Sequence, residues 1–70
     1  MMMSIINTIV ARTAKQVVSM YRIGYYTTLD AAVEMVYAEL AKQNVRLIAD
    51  YDDYIREAIE NKIGKYLLKN

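Results

Sequence analysis

The apolar positions of this chain fall into three stripes, each at roughly helical spacing. In the first, Ile5, Ile6, Ile9, Val10, Ala14, Val17, Val18 and Tyr21 are separated by steps of one, three and four. That pattern predicts a helix over 4–23, with Ser4 as N-cap and Gly24 as the left-handed residue beyond its end. Two features pull against it. Many of these residues are β-branched, which lowers helix propensity, and the apolar face drifts along the helix. A strand needs strict alternation, which Ile5-Ile6 and Ile9-Val10 break.

The second stripe is Leu29, Ala32, Val33, Val36, Tyr37 and Leu40, with Asp30, Glu34, Glu39 and Lys42 off it. It predicts a helix over 28–43. Thr28 is the expected N-cap, Asp30 is a favourable first-turn acid, and Asn44 is the stop. The third stripe is Ile48, Tyr51, Ile55, Ala58, Ile59, Ile63, Tyr66 and Leu67, read as a helix over 50–68. Asp50 or Asp52 would cap it. Lys62, Lys65 and Lys69 would complement its C-terminal dipole. Glu57 and Glu60 are placed to pair with nearby lysines. Gly64 inside this span marks either a close helix crossing, the reading preferred, or an earlier end.

These elements predict one domain over residues 1–70, an all-α three-helix bundle with short connections at 23–27 and 44–49. The competing arrangement is α+β: a β-hairpin over 5–26 followed by two helices. Composition adds an expectation of association. The chain is 56% apolar and only 70 residues long, without a cysteine or a histidine. A core this small seldom supplies more than ~3–5 kcal/mol by itself. Without disulfides or common zinc ligands, a homodimer or a protein partner is the expected remedy.

The absent residue types also restrict chemistry. No Ser-His-Asp or Cys-His arrangement can be built, and no Gly-rich phosphate loop occurs. The acidic run Asp50-Tyr51-Asp52-Asp53-Tyr54 lacks the glycine and the terminal glutamate of an EF-hand loop. It reads as an acidic first helical turn, so the expectation is no enzyme, no cofactor and no metal. No apolar run reaches the ~20 residues of a membrane span, and no basic stretch precedes a signal-like core. A cytoplasmic location without membrane contact is therefore expected.

Two candidate surfaces remain. Phe and Trp are absent, so seven tyrosines supply all the aromatic area. Tyr37, Tyr51 and Tyr66 lie on core stripes. Tyr21, Tyr25, Tyr26 and Tyr54 are the interface candidates, since tyrosine gives contact area at low entropic cost. The other surface is the first helix, which carries Arg12, Lys15 and Arg22 and no acid. It is the candidate nucleic-acid face. The net charge of +1 weighs against that reading, as does an acidic would-be recognition helix after Glu39-Leu40-Ala41-Lys42-Gln43-Asn44-Val45.

Gly24-Tyr25-Tyr26-Thr27-Thr28-Leu29, with Ala32 following, resembles a segment of small phage- and prophage-encoded proteins of unknown activity. In those proteins a Gly-Tyr-Tyr tract opens a helix and strands precede it. The resemblance covers about ten residues. It implies a mobile-element origin and a strand over 17–26, and it carries over no catalytic residue. The expected function is thus a non-enzymatic helical module for protein–protein interaction, with nucleic-acid binding through the first helix as the alternative.

Overall fold

The computed structural model describes residues 2–69. Helix α1 is Met2–Arg22, α2 is Leu29–Lys42 and α3 is Asp52–Ile63. Two-residue strands β1 (Thr27–Thr28) and β2 (Leu67–Leu68) complete the fold, β2 following a 3-10 turn at Gly64–Tyr66. The strands pair in parallel, with Thr27 opposite Leu67 and Thr28 opposite Leu68.

Helix α1 is continuous where the alternative placed a hairpin, so the hairpin over 5–26 is excluded. The strand over 17–26 implied by the phage-protein resemblance is absent as well, since only Thr27–Thr28 is extended there. Burial outweighs the poor propensity of the β-branched residues. Ile6, Ile9, Val10, Ala14 and Val17 are all buried on one face, and packing of that face supplies most helical stability in a folded chain.

Both of the first two helices end in the same device. Beyond α1, Gly24 has φ +93°, the Tyr25 N–H donates to Met20 O and the Gly24 N–H to Tyr21 O. Beyond α2, Asn44 has φ 58°, the Val45 N–H donates to Leu40 O and the Asn44 N–H to Ala41 O. These are Schellman motifs, in which the N–H of a left-handed residue and that of the next residue satisfy carbonyls of the last turn. At its start α2 is capped as expected: Thr28 Oγ1 accepts from the Ala31 N–H at 3.1 Å.

Several expectations need correction. Ser4 lies within α1, not at its cap. Helix α3 begins at Asp52, where Asp50 accepts the Asp52 N–H, and it ends at Ile63, five residues before Leu68. Gly64 marks that earlier end. A Cβ there would meet nothing nearer than Glu60 Cγ at 3.4 Å, so no helix crosses closely at this point. Lys65 and Lys69 therefore lie outside α3, and only Lys62 remains in its last turn. Ile48 is 87% exposed in the α2–α3 connection and takes no part in the core. Tyr21 is also exposed. Among the described residues neither Glu57 nor Glu60 forms an ion pair.

Paired contacts give the direction of each helix. Asn7 of α1 meets Tyr54 of α3, and Tyr21 near the end of α1 meets Tyr66 just beyond the end of α3, so α1 and α3 run the same way. Tyr37 meets Asp52 while Asp30 meets Arg56, so α2 runs against α3. The result is an up-down-up bundle, 35 × 20 × 16 Å. Its long axis matches the ~31 Å of a 21-residue helix.

The hydrophobic core is aliphatic throughout, and Thr13 and Thr27 are buried as well. Ala32, Val33, Val36 and Leu40 come from α2, and Ile55, Ile59 and Ile63 from α3. Each fully buried isoleucine contributes roughly 1.5–3 kcal/mol. No aromatic ring enters the centre. The tyrosines surround it, half-buried or exposed. Among the described residues, no helix is long and apolar enough to cross a membrane.

Candidate interaction surfaces

The turn after α1 decides where the aromatic residues go. With Gly24 left-handed, the chain reverses within a few residues and carries Tyr26 back beside Tyr21. Their ring centroids are 5.3 Å apart with planes tilted by 57°. On the other side, Tyr21 meets Tyr66 edge-on at 5.2 Å. Lys65 Nζ lies 5.3 Å from the Tyr66 ring centroid. Tilted and edge-on arrangements of this kind contribute ~0.5–1.5 kcal/mol each beyond area burial.

The cluster stays open to solvent. Ile23 is 72% exposed, Tyr25 65% and Tyr26 59%, with Leu68 of β2 also exposed. The β1–β2 pairing brings the chain flanking Tyr26 against the chain flanking Tyr66, so residues 40 apart in sequence form one end of the bundle. Three of the four tyrosines proposed from sequence, Tyr21, Tyr25 and Tyr26, lie at this end. The fourth does not. Tyr54 lies at the opposite end of α3, and its hydroxyl donates to Asn7 Oδ1 in α1.

The basic residues of α1 divide between two places. Lys15 and Arg22 line an open groove of about 920 Å³ between α1 and the end of α3, and Lys62 lines it too. Ala11, Ala14, Val18 and Ile63 supply its apolar lining, and no carboxylate lines it. Arg12 lies on the other flank, lining clefts with Met35, Glu39 and Gln43 of the α2 side. Sequence reasoning missed Lys62 as a groove residue because it depends on how α3 packs against α1. Its 3.6-residue phase with Ala58, one turn earlier, was the available signal.

The acidic run serves the bundle itself. Arg56 Nε donates to Asp52 Oδ2 at 2.7 Å, and its Nη1 donates to Asp30 Oδ1 at 2.6 Å. The Tyr37 hydroxyl donates to Asp52 Oδ1 at 3.0 Å. These four residues tie the start of α3 to α2. Hydrogen bonds from Arg56, then from Tyr37, hold the Asp52 carboxyl below its usual range. Burial first, then the hydrogen bond to Asp52, pushes the Tyr37 hydroxyl up from 10.0. Bonds to Asp30 and Asp52 raise Arg56 further above its ordinary value. Asp50 is engaged with the Asp52 N–H, and Asp53 is exposed. Among the described residues no group of three or more acidic side chains converges as a metal site.

No protein-family model, curated protein or solved structure matches this chain.

Proposed function

We propose that this protein is a non-enzymatic helical interaction module, which associates with itself or with a protein partner through its tyrosine-bearing end. The observation carrying this reading is the open cluster of Tyr21, Ile23, Tyr25, Tyr26 and Leu68 at one end of the bundle. Contact surfaces are enriched in tyrosine and depleted in acids at their centre. The Tyr21–Tyr26 and Tyr21–Tyr66 contacts fix these rings before any partner arrives. Ordering them on binding therefore costs less. The groove and clefts of this molecule are open and shallow in chemistry, with neither a histidine nor a cysteine to serve as a base or nucleophile.

Replacement of Tyr25 and Tyr26 by serine tests this. Association measured by sedimentation velocity at micromolar concentration is expected to fall by about tenfold or more, as at a contact centre. The melting temperature should fall by only a few degrees, because Tyr26 gives up its contact with Tyr21 but neither ring is part of the core. Unchanged association in the double variant would remove the tyrosine end as the contact.

Binding of nucleic acid through α1 is the second reading. The juxtaposition of Lys15, Arg22 and Lys62 without a carboxylate supports it. Against it, no aromatic ring lines that groove, so bases would have no stacking platform there.

A further inference from the structure

We propose that the groove between α1 and α3 of one molecule receives the outer face of α2 from a second copy, in a head-to-tail contact distinct from the tyrosine end. Two unlike surfaces motivate it. The groove presents Lys15, Arg22 and Lys62 around an apolar floor of small and branched side chains. Among the described residues none of these three cations lies within ion-pair distance of a carboxylate. Unpaired like charges around one groove repel one another, and an acidic occupant relieves that repulsion.

The outer face of α2 has the matching chemistry. Ala31, Met35 and Ala38 form a stripe of small and flexible apolar residues, flanked by Asp30 and Glu34. Ala31, Glu34 and Ala38 are exposed, and Glu34 pairs with no cation among the described residues. Small residues along a helix permit close approach of a neighbouring helix, and Glu34, unlike the Arg56-bound Asp30, is placed to meet the groove's cations.

The match cannot be made within one molecule. The face of α2 that points inward carries Ala32, Val33, Val36 and Leu40, all buried in the core. Ala31, Glu34 and Ala38 lie on the opposite side of the helix, away from α1 and α3. An α2 face that fills the groove therefore belongs to another copy. Because groove and occupant are different patches, the contact is heterologous and propagates into rings or open chains. A polyanion fits less well, since the groove floor is apolar and no aromatic side chain lines it.

Complementation tests this, using full-length chains that carry Tyr25→Ser and Tyr26→Ser, so that failure of the tyrosine end is read separately. One variant adds Lys15→Glu and Arg22→Glu, which spoils the groove. The other adds Glu34→Lys and Ala38→Lys, which spoils the α2 face. Light scattering at low salt should find the tyrosine-substituted parent assembling with concentration. Each variant alone should be monomeric, with association weakened about tenfold or more by like-charge contact. An equimolar mixture should regain association, because the intact groove of one variant meets the intact face of the other. Salt should dissolve all of these assemblies, as screening shortens to ~3 Å at 1 M. Lys15→Gln with Arg22→Gln, checked by far-ultraviolet dichroism, repeats the groove arm should the glutamates disturb folding. A monomeric parent at low salt, undiminished association of either variant, or a mixture that stays monomeric would each overturn the proposal. So would loss of heparin retention in the groove variant alone, with self-association unaffected, which would assign the groove to a polyanion.

Discussion

Helix α3 carries charge toward both of its neighbours, and the two sides are treated differently. Toward α2, Arg56 is held by Asp30 and Asp52, and Asp52 also receives the Tyr37 hydroxyl. Toward α1, Lys62 shares a groove with Lys15 and Arg22 and meets no carboxylate among the described residues. One side completes its electrostatics inside the molecule, and the other leaves them open. The net charge of +1 conceals this separation. Charges that close on each other serve the fold, and charges left facing outward are available to something else.

Breaking the closed side should have the larger effect. Arg56→Glu places a carboxylate between Asp30 and Asp52, removes two hydrogen bonds and adds like-charge repulsion. The largest fall in melting temperature of the substitutions considered is expected here, read by thermal dichroism. Tyr37→Phe removes one hydrogen bond to a carboxylate at a half-buried site. It should cost about 1 kcal/mol in urea unfolding.

The pH dependence separates the two members of the same network. Asp52 has its folded pKa below the ordinary 3.8. Its contribution is present above that value and is lost as pH falls through the folded one. Asp52→Asn should flatten the acid side of the stability curve. Tyr37, raised from 10.0, works in reverse: its contribution is full below pH 10 and is lost as pH climbs through the folded value. Tyr37→Phe should flatten the alkaline side and weaken the acid side only in part, because the Arg56 hydrogen bond to Asp52, the larger cause, remains. Smallest of all is the open side. Lys15→Gln with Arg22→Gln should shift unfolding by no more than ~0.5 kcal/mol, the usual range for free surface substitutions. A large loss there would mean that these cations serve the fold after all.

Much of the bundle was legible in the apolar spacing. Every residue of the α2 stripe is buried or half-buried, and Thr28, Gly24 and Asn44 act at the helix ends where their chemistry placed them. The failures have local causes. Thr13 is buried although its hydroxyl kept it off the first stripe, while Tyr21 and Ile48 are exposed although apolar. Spacing gives the phase of a helix and not how far a stripe stays covered near its ends. The two glycines look alike in sequence and differ in backbone. Gly24 occupies the left-handed region, whereas Gly64 has φ −52°, open to any residue. The β1–β2 pair was invisible because two residues carry no alternation to detect. It is created by tertiary closure of the bundle end, and so is the tyrosine cluster beside it.

The same limit applies to the surfaces. Tyr21, Tyr25 and Tyr26 are near neighbours in sequence, so grouping them required no fold. Tyr54 required one, and it lies at the far end against Asn7. Lys62 joins Lys15 and Arg22 only because α1 and α3 run parallel. The Asp30–Arg56–Asp52 network joins two acids that the sequence placed at separate helix starts with an arginine to which the sequence gave no role.

The most direct measurement is the molar mass of the unmodified protein by light scattering, followed from dilute to concentrated solution. A mass that rises above the 8.1 kDa of one chain in the micromolar range is expected. A constant monomer mass across the whole range, with no heteromeric complex formed by any protein offered to it, would contradict an interaction module.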